Sequence, residues 1–290
     1  MNQRDEDGLT REEAREQERA LRPGLERRAD EPPTPQDLDE KMLPRAVRAE
    51  LRGLPKDLAT IVGAHLLMAG ELIDEDPELA LAHAHAARRR AARLPIVREA
   101  TAETAYAAGD YQTALAEYRA LHRMSGTGDY LPVLADCERA LGRPRDALKL
   151  AQEARGSRLD PAMQVEMLIV EAGARVDLGQ VDEALRLVHS ALQDRRVPKQ
   201  ARARLFYTAG DLLEKQGRTR DAIQRFQHAV EFDDEELLDA PSRLAQLGVL
   251  GDDEMDVDII AMIEDEPEPT EDEDGDILPE TAPEDEETDK

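Results

Sequence analysis

The sequence predicts an all-α fold, an α-solenoid of about five helix–turn–helix units between a charged N-terminal arm and an acidic C-terminal tail, on three observations. Apolar residues from about residue 57 to 236 recur at helical spacing, and no alternating run of Val, Ile, Thr and aromatics is long enough for a strand. Within that stretch a turn-like tripeptide recurs at nearly constant intervals. The charge is uneven: of a net −27, residues 252–290 hold 20 acids against one base, leaving −19 in the tail and −8 on residues 1–251. With 17 Pro, 36% charged residues and 3% aromatics in 290 residues, the chain does not read as one compact globule.

Residues 1–33 are charge-rich and read as a disordered or partly helical arm, in which Thr10 and Glu13 form a capping box able to start a short helix. Residues 34–56 read as a capping helical segment: Thr34 offers an N-cap and Pro35 the first helical position, Pro44 interrupts the run, and Gly53 and Pro55 end it. The recurring turns are Glu75-Asp76-Pro77, Gly109-Asp110-Tyr111, Gly142-Arg143-Pro144, Gly179-Gln180-Val181 and Gly217-Arg218-Thr219. Five residues after the first member of each stands alanine: Ala80, Ala114, Ala147, Ala184 and Ala222. Positions four and seven further on are Ala84/Ala87, Tyr118/Leu121, Ala151/Ala154, Val188/Ala191 and Phe226/Ala229, which share a helix face with that alanine. Seven residues before each turn sit Met68, Ala102, Ala135, Ala172 and Gly210, small in four of five units, so that two helix backbones can approach closely. Glycine in four of the five turns supplies the left-handed residue that stops the first helix. Each unit therefore reads as helix A, tight turn, helix B. A short capping helix is expected in 237–251, and 252–290 is a disordered acidic tail with one apolar island, Val257, Ile259, Ile260, Met262 and Ile263, as a motif for docking on the repeats or on a partner.

These residues resemble the tetratricopeptide repeat, whose 34-residue unit carries small residues at positions 8, 20 and 27, an apolar or aromatic residue at 24 and a Gly-Asp/Asn-Tyr-like turn. The units are 61–94, 95–128, 128–161, 165–198 and 203–236, together with the linking residues making 57–236 the repeat domain. Successive repeat alanines lie 34, 33, 37 and 38 residues apart, so the last two joins carry insertions, expected as loops around 156–164 and 195–203. Position 11, aromatic in the family, is Glu71, Ala105, Glu138, Arg175 and Leu213 here. An arginine bias with only six lysines, beside abundant alanine, points to a GC-rich bacterial genome and a bacterial, actinobacterial-type member.

Catalytic and metal signals are weak. His83 and His85 are two apart, hence on different faces of a helix, where a metal pair needs three or four. Cys137 stands alone inside a helix beside Leu134 and Leu141. No P-loop, GxGxxG or GxSxG occurs, and the acidic run at Asp272 lacks the end ligands of a calcium loop. The expectation is no enzyme, no cofactor and no metal. The charged N-terminus lacks the apolar stretch of a signal peptide, no run approaches a membrane span, and one cysteine suits a reducing compartment, so a cytoplasmic location is expected.

Tandem helix pairs stack into a solenoid whose concave face is lined by the A helices. The resemblance implies that positions 2, 5, 9, 12 and 13 line a peptide groove. They give apolar Val62, Leu72, Ile96, Tyr106, Ile169, Val176 and Tyr207, with His65 and the acids Glu99, Glu103, Asp136, Asp177, Asp211 and Glu214. That lining lacks the Lys and Asn with which some members clamp an acidic C-terminus. It suits an apolar segment carrying Arg or Lys. Off the groove, Arg88, Arg89, Arg90, Arg93, Arg143, Arg145, Arg195 and Arg196 form basic edges. The expected function is a non-enzymatic interaction scaffold or adaptor with a protein or peptide ligand. The alternative is a nucleic-acid-associated regulator using the basic edges, with the acidic tail as autoinhibitory competitor. The shortage of aromatics for base stacking counts against nucleic acid.

Overall fold

The computed structural model describes residues 26–34 and 39–249. They lie in the first of two compact units, Met1–Val249; the second, Leu250–Lys290, lies outside the described residues, and with it the tail island. The capping box of Thr10 and Glu13, and Pro35, also lie outside them. All regular structure among the described residues is helical. A 3-10 turn at Glu40–Met42 precedes α1 (Arg45–Leu51), which starts directly after Pro44. Five hairpins follow: α2 (Lys56–Leu72) with α3 (Pro77–Ala91), α4 (Pro95–Ala107) with α5 (Tyr111–Ser125), α6 (Leu131–Ala140) with α7 (Pro144–Ala154), α8 (Pro161–Asp177) with α9 (Val181–Leu192), and α10 (Lys199–Lys215) with α11 (Thr219–Phe232). The short α12 (Ala240–Gln246) closes the stack.

The local chemistry explains the hairpins. Gly109, Gly142, Gly179 and Gly217 stop the A helices at φ of 75°, 72°, 77° and 73°, a region that a side chain would strain. The first unit lacks that glycine, but Asp76 caps α3, accepting the Leu79 amide at 3.0 Å, with Pro77 at the first helical position. The five repeat alanines are fully buried. A Cβ on Gly210 would come within 2.7 Å of the Phe226 ring, so only glycine lets α10 and α11 close on that ring. At position 11, Glu138 is 3% exposed and binds Arg119 and Arg143, an ion cluster in place of the family's aromatic.

The insertions in the last two joins are not loops along their whole length. They extend α8 and α10, which begin at Pro161 and Lys199 and run 17 residues each, against 13 in α4 and 10 in α6. At the first of these Asp160 accepts the Met163 amide at 2.9 Å, and Pro161 fixes the first helical φ, which favours helix over loop.

Packing runs between sequence neighbours, and the A helices α2 and α4, α6 and α8, and α8 and α10 also pack on one another. Contacts of that kind between A helices, with none as extensive between B helices among the described residues, are the pattern of a stack whose A helices line the inner face. The apolar core is a chain of four clusters, from Leu43, Val47 and Val62 at one end to Leu205, Leu213 and Phe226 at the other.

Candidate functional site

The A helices of repeats three to five carry the open part of the groove. Ile169, Val176 and Asp177 from α8 and Tyr207 and Asp211 from α10 converge on one cleft of about 350 Å³, whose wall also includes Arg139, Arg204, Lys215 and Leu238. Five of the fourteen groove residues read from the sequence thus meet at one place.

A polar chain crosses the groove floor beside it. The Tyr106 hydroxyl donates to Asp136, Arg139 Nη1 donates to Asp136 Oδ1 at 2.7 Å, and Arg139 Nε donates to Asp177 Oδ2 at 2.8 Å. This ties α4, α6 and α8 together and cancels part of the acidity of the lining. Burial works against the charge on Arg139, but Asp177 and Asp136 outweigh it and raise its pKa above the usual arginine value. Burial, together with the Asp136 carboxylate, raises the pKa of Tyr106 as well. Gly173 leaves the room: a Cβ there would lie 2.6 Å from the Arg139 guanidinium carbon.

At the N-terminal end the chain covers its own groove. Ile96, Glu99 and Glu103 line a second cleft, of about 440 Å³, shared with Leu43 and Val47. The Ile96 amide donates to Glu50 Oε2 of α1 at 3.0 Å, a helix cap from a distant segment. Burial and the charge of Glu99 raise the pKa of Glu103. Val62 is fully buried in the cluster with Val47 and Leu51. Leu72, half-buried, lines neither cleft. His65 lies beneath Glu31: Nε2 meets Glu31 Oε1 at 2.8 Å, and Nδ1 meets His83 Nδ1 at 3.0 Å. His83 donating to His65, and His65 to Glu31, satisfies all three groups with both imidazoles neutral. Arg89 and Arg90 complete the cluster at 2.6 and 2.9 Å from the same carboxylate, and Arg90 Nη2 also donates to the Glu26 carbonyl at 2.9 Å. Although burial opposes it, Arg90, His65 and Arg89 hold Glu31 down at about 2, while burial and the neighbouring His65 push His83 down to about 4.

At the other end Tyr207, Asp211 and Glu214, positions 5, 9 and 12 of repeat five, receive Arg243 of α12. Sequence reasoning did not assign a role to Arg243, Glu31 or Arg139. Arg139 stands at position 12 of repeat three and could have been found by filling in the register; Arg243 and Glu31 lie outside the repeats and gave no periodic signal.

The basic edges are largely compensated by the chain itself. Arg88 pairs with Glu117 at 2.5 Å, Arg89 and Arg90 with Glu31, Arg143 with Glu138 at 3.4 Å and Arg196 with Asp194 at 2.8 Å. Arg93, Arg145 and Arg195 make no ion pair among the described residues. Burial pushes the Cys137 thiol up to about 12, so it is not a thiolate near neutral pH. Among the described residues no helix is long and apolar enough to cross a membrane, and no His, Cys, Asp and Glu group is placed to hold a metal ion.

The architecture is that of a tetratricopeptide-type solenoid. A thermophilic TPR protein of Thermus thermophilus, TTC0263, superposes with a TM-score of 0.51 at 20% identity, over 65% of this chain and 100% of that one. Human IFIT1, solved as a dimer with PPP-AAAA, matches at a TM-score of 0.46 and 20% identity over 65% of this chain and 46% of that chain. YrrB, a TPR protein described with an unusual peptide-binding site, matches at 0.40 and 19% identity over 69% and 98%. Neither a family model nor a curated protein matches the chain.

Proposed function

We propose that this protein is a non-enzymatic interaction scaffold that holds a segment of a partner protein in the concave groove of repeats three to five. The observation that carries the reading is the convergence of Ile169, Val176, Asp177, Tyr207 and Asp211, from two successive A helices, on one open cleft. Its wall joins apolar surface to charges of both signs, which suits an amphipathic peptide better than a small apolar ligand. Cys137 is buried with a raised pKa, so the one thiol offers no nucleophile. The ion-paired arginines of the edges support the groove over a phosphate-binding surface. Among the described residues, the basic-edge arginines without such a pair are Arg93, Arg145 and Arg195.

The test is site-specific photo-cross-linking in cells. A photoreactive residue replacing Thr208, on the cleft wall, should form a discrete protein adduct, and one replacing the exposed Arg186 on α9 should not. Ile169→Asp should abolish the Thr208 adduct without loss of helical signal. Equal labelling from both positions would refute the groove.

A further inference from the structure

The groove reading leaves open which chemistry a partner segment brings, and the contact made by α12 answers that while resting on that reading. A helix of seven residues does not hold itself together in water; α12 persists through what it touches. Arg243 Nη1 donates to Asp211 Oδ1 at 2.6 Å and to Tyr207 Oη at 3.2 Å, and Nη2 donates to Glu214 Oε2 at 2.5 Å. The guanidinium carbon also lies 5.0 Å from the centroid of the Phe226 ring. Beside it, Leu244 and Leu247 pack against the apolar cluster of α8 to α11. All three acceptors occupy groove positions, so α12 rests where a ligand would rest in the neighbouring repeats.

The contact has the character of a bound ligand more than of a core. Arg243 keeps 21% of its side chain exposed, and Asp211 and Glu214 keep 31% and 37%. Ala240 is the one α12 residue that is fully buried. The connector from α11 carries Glu236 at φ 52°, a left-handed conformation that a non-glycine residue adopts only under constraint. The constraint is visible: Asp233 accepts the amides of Leu237 and Leu238 at 3.2 and 2.7 Å, and Tyr207 donates to Asp239 at 2.5 Å.

We propose that Tyr207, Asp211 and Glu214 form a guanidinium-binding site at the end of the groove, which Arg243 fills in cis and which the arginine of a partner segment enters in its place. The partner segment then carries the pattern that α12 displays, an arginine followed by apolar residues one and four positions on. Convergent acceptors contacting both terminal nitrogens match a planar fork, so arginine is preferred to lysine, and a segment with an acid at that place is repelled. Because the resident copy is tethered, it competes at an effective concentration in the millimolar range and sets a threshold that a partner must exceed.

The experiment uses the full chain and a labelled synthetic peptide of residues 238–249, read by fluorescence anisotropy. The Arg243→Ala chain should bind the peptide about tenfold more tightly than the wild type, since the internal competitor is gone. Adding Asp211→Asn and Glu214→Gln to that chain should remove the gain, and a peptide with Lys in place of the arginine should bind more weakly. Arg243→Lys in the chain should give an intermediate gain, which keeps the test informative if Arg243→Ala loses helical signal. Equal affinity in the wild type and both Arg243 variants, or a gain that survives loss of the two acids, would overturn the site. If Thr208 captures a partner while the peptide binds no chain, the groove reading stands and the arginine site falls. If the peptide behaves as described and Thr208 captures nothing, the site stands and the scaffold function falls.

Discussion

At the N-terminal end of the solenoid the chain inserts an acid among bases, and at the C-terminal end it inserts a base among acids. Glu31, 5% exposed, sits on His65, Arg89 and Arg90. Arg243 sits on Tyr207, Asp211 and Glu214 with a fifth of its side chain open to solvent. Both contacts cover A-helix positions that would otherwise face the groove, but they differ in depth. A buried ion cluster that loses one member leaves uncompensated charge in a poor solvent, whereas a half-exposed pair is exchanged for water at little cost. The first contact therefore acts as a structural latch and the second as an exchangeable one.

The sharpest way to break that contrast is to remove Glu31. Glu31→Ala removes the buried carboxylate that His65, Arg89 and Arg90 share, and it should lower stability by about 3 kcal/mol. Urea unfolding measures the loss, and hydrogen exchange should place it in α2 and α3. A loss under about 0.5 kcal/mol would mean that the N-terminal latch is as loosely held as the other end.

Acid should separate the ends next. The folded pKa of His83 lies near 4, below its ordinary 6.5, so the folded state keeps it neutral while the unfolded chain takes up a proton. Stability from this group is complete above pH 6.5 and declines as pH falls towards 4, by up to about 1.4 kcal/mol per pH unit. Glu31, held near 2, extends the decline from 4.5 down to that value as its carboxylate becomes protonated. Between pH 7 and 5, protection factors, which correct for the slower intrinsic exchange in acid, should fall in α2 and α3 and not in α12, since no histidine contacts Arg243. An equal fall in α12 would dissolve the distinction.

The unequal legibility of these regions in the sequence has a physical reason. Ala80, Ala114, Ala147, Ala184 and Ala222 are visible because one steric demand, close approach of two helices, is repeated five times at a fixed offset. Ile169, Val176 and Asp211 inherit their place from the same register and reach the cleft. Val62 and His65 share that register but are buried, because segments outside the repeats cover them, and a covering segment docks once and leaves no period to detect. The same holds for Arg243, which stands in a helix of seven residues beyond the last unit.

At the C-terminal end the expected effects are smaller. Asp211→Asn with Glu214→Gln keeps shape and hydrogen-bonding capacity but removes both charges from Arg243, and it should cost about 1 kcal/mol, falling further in high salt. The signature is release of α12, seen as faster exchange in residues 240–247, with the midpoint of global unfolding almost unmoved. A loss of about 3 kcal/mol or more would assign this end to the latch class as well.

The smallest effect belongs to the middle of the groove, around Gly173 and Arg139. Gly173→Ala places a Cβ 2.6 Å from the guanidinium carbon of Arg139, closer than two such atoms can lie, but that carbon is near the tip of a flexible side chain. Arg139 moves, α8 does not, and the substitution acts through two opposed terms. Alanine in a helix interior gains about 1 kcal/mol over glycine. Against that, Arg139 loses its bridge between Asp136 and Asp177, a pair of partly exposed ion pairs worth about as much together. Net stability should therefore change by less than about 1 kcal/mol. The groove, by contrast, changes character, because displacing the guanidinium unmasks Asp136 and Asp177 and makes the floor more acidic. A basic amphipathic peptide that binds the middle of the groove should then bind more tightly and with a steeper salt dependence, in a variant whose melting temperature barely shifts. Unchanged salt dependence would show that the polar chain through Arg139 is a tie between helices and takes no part in recognition.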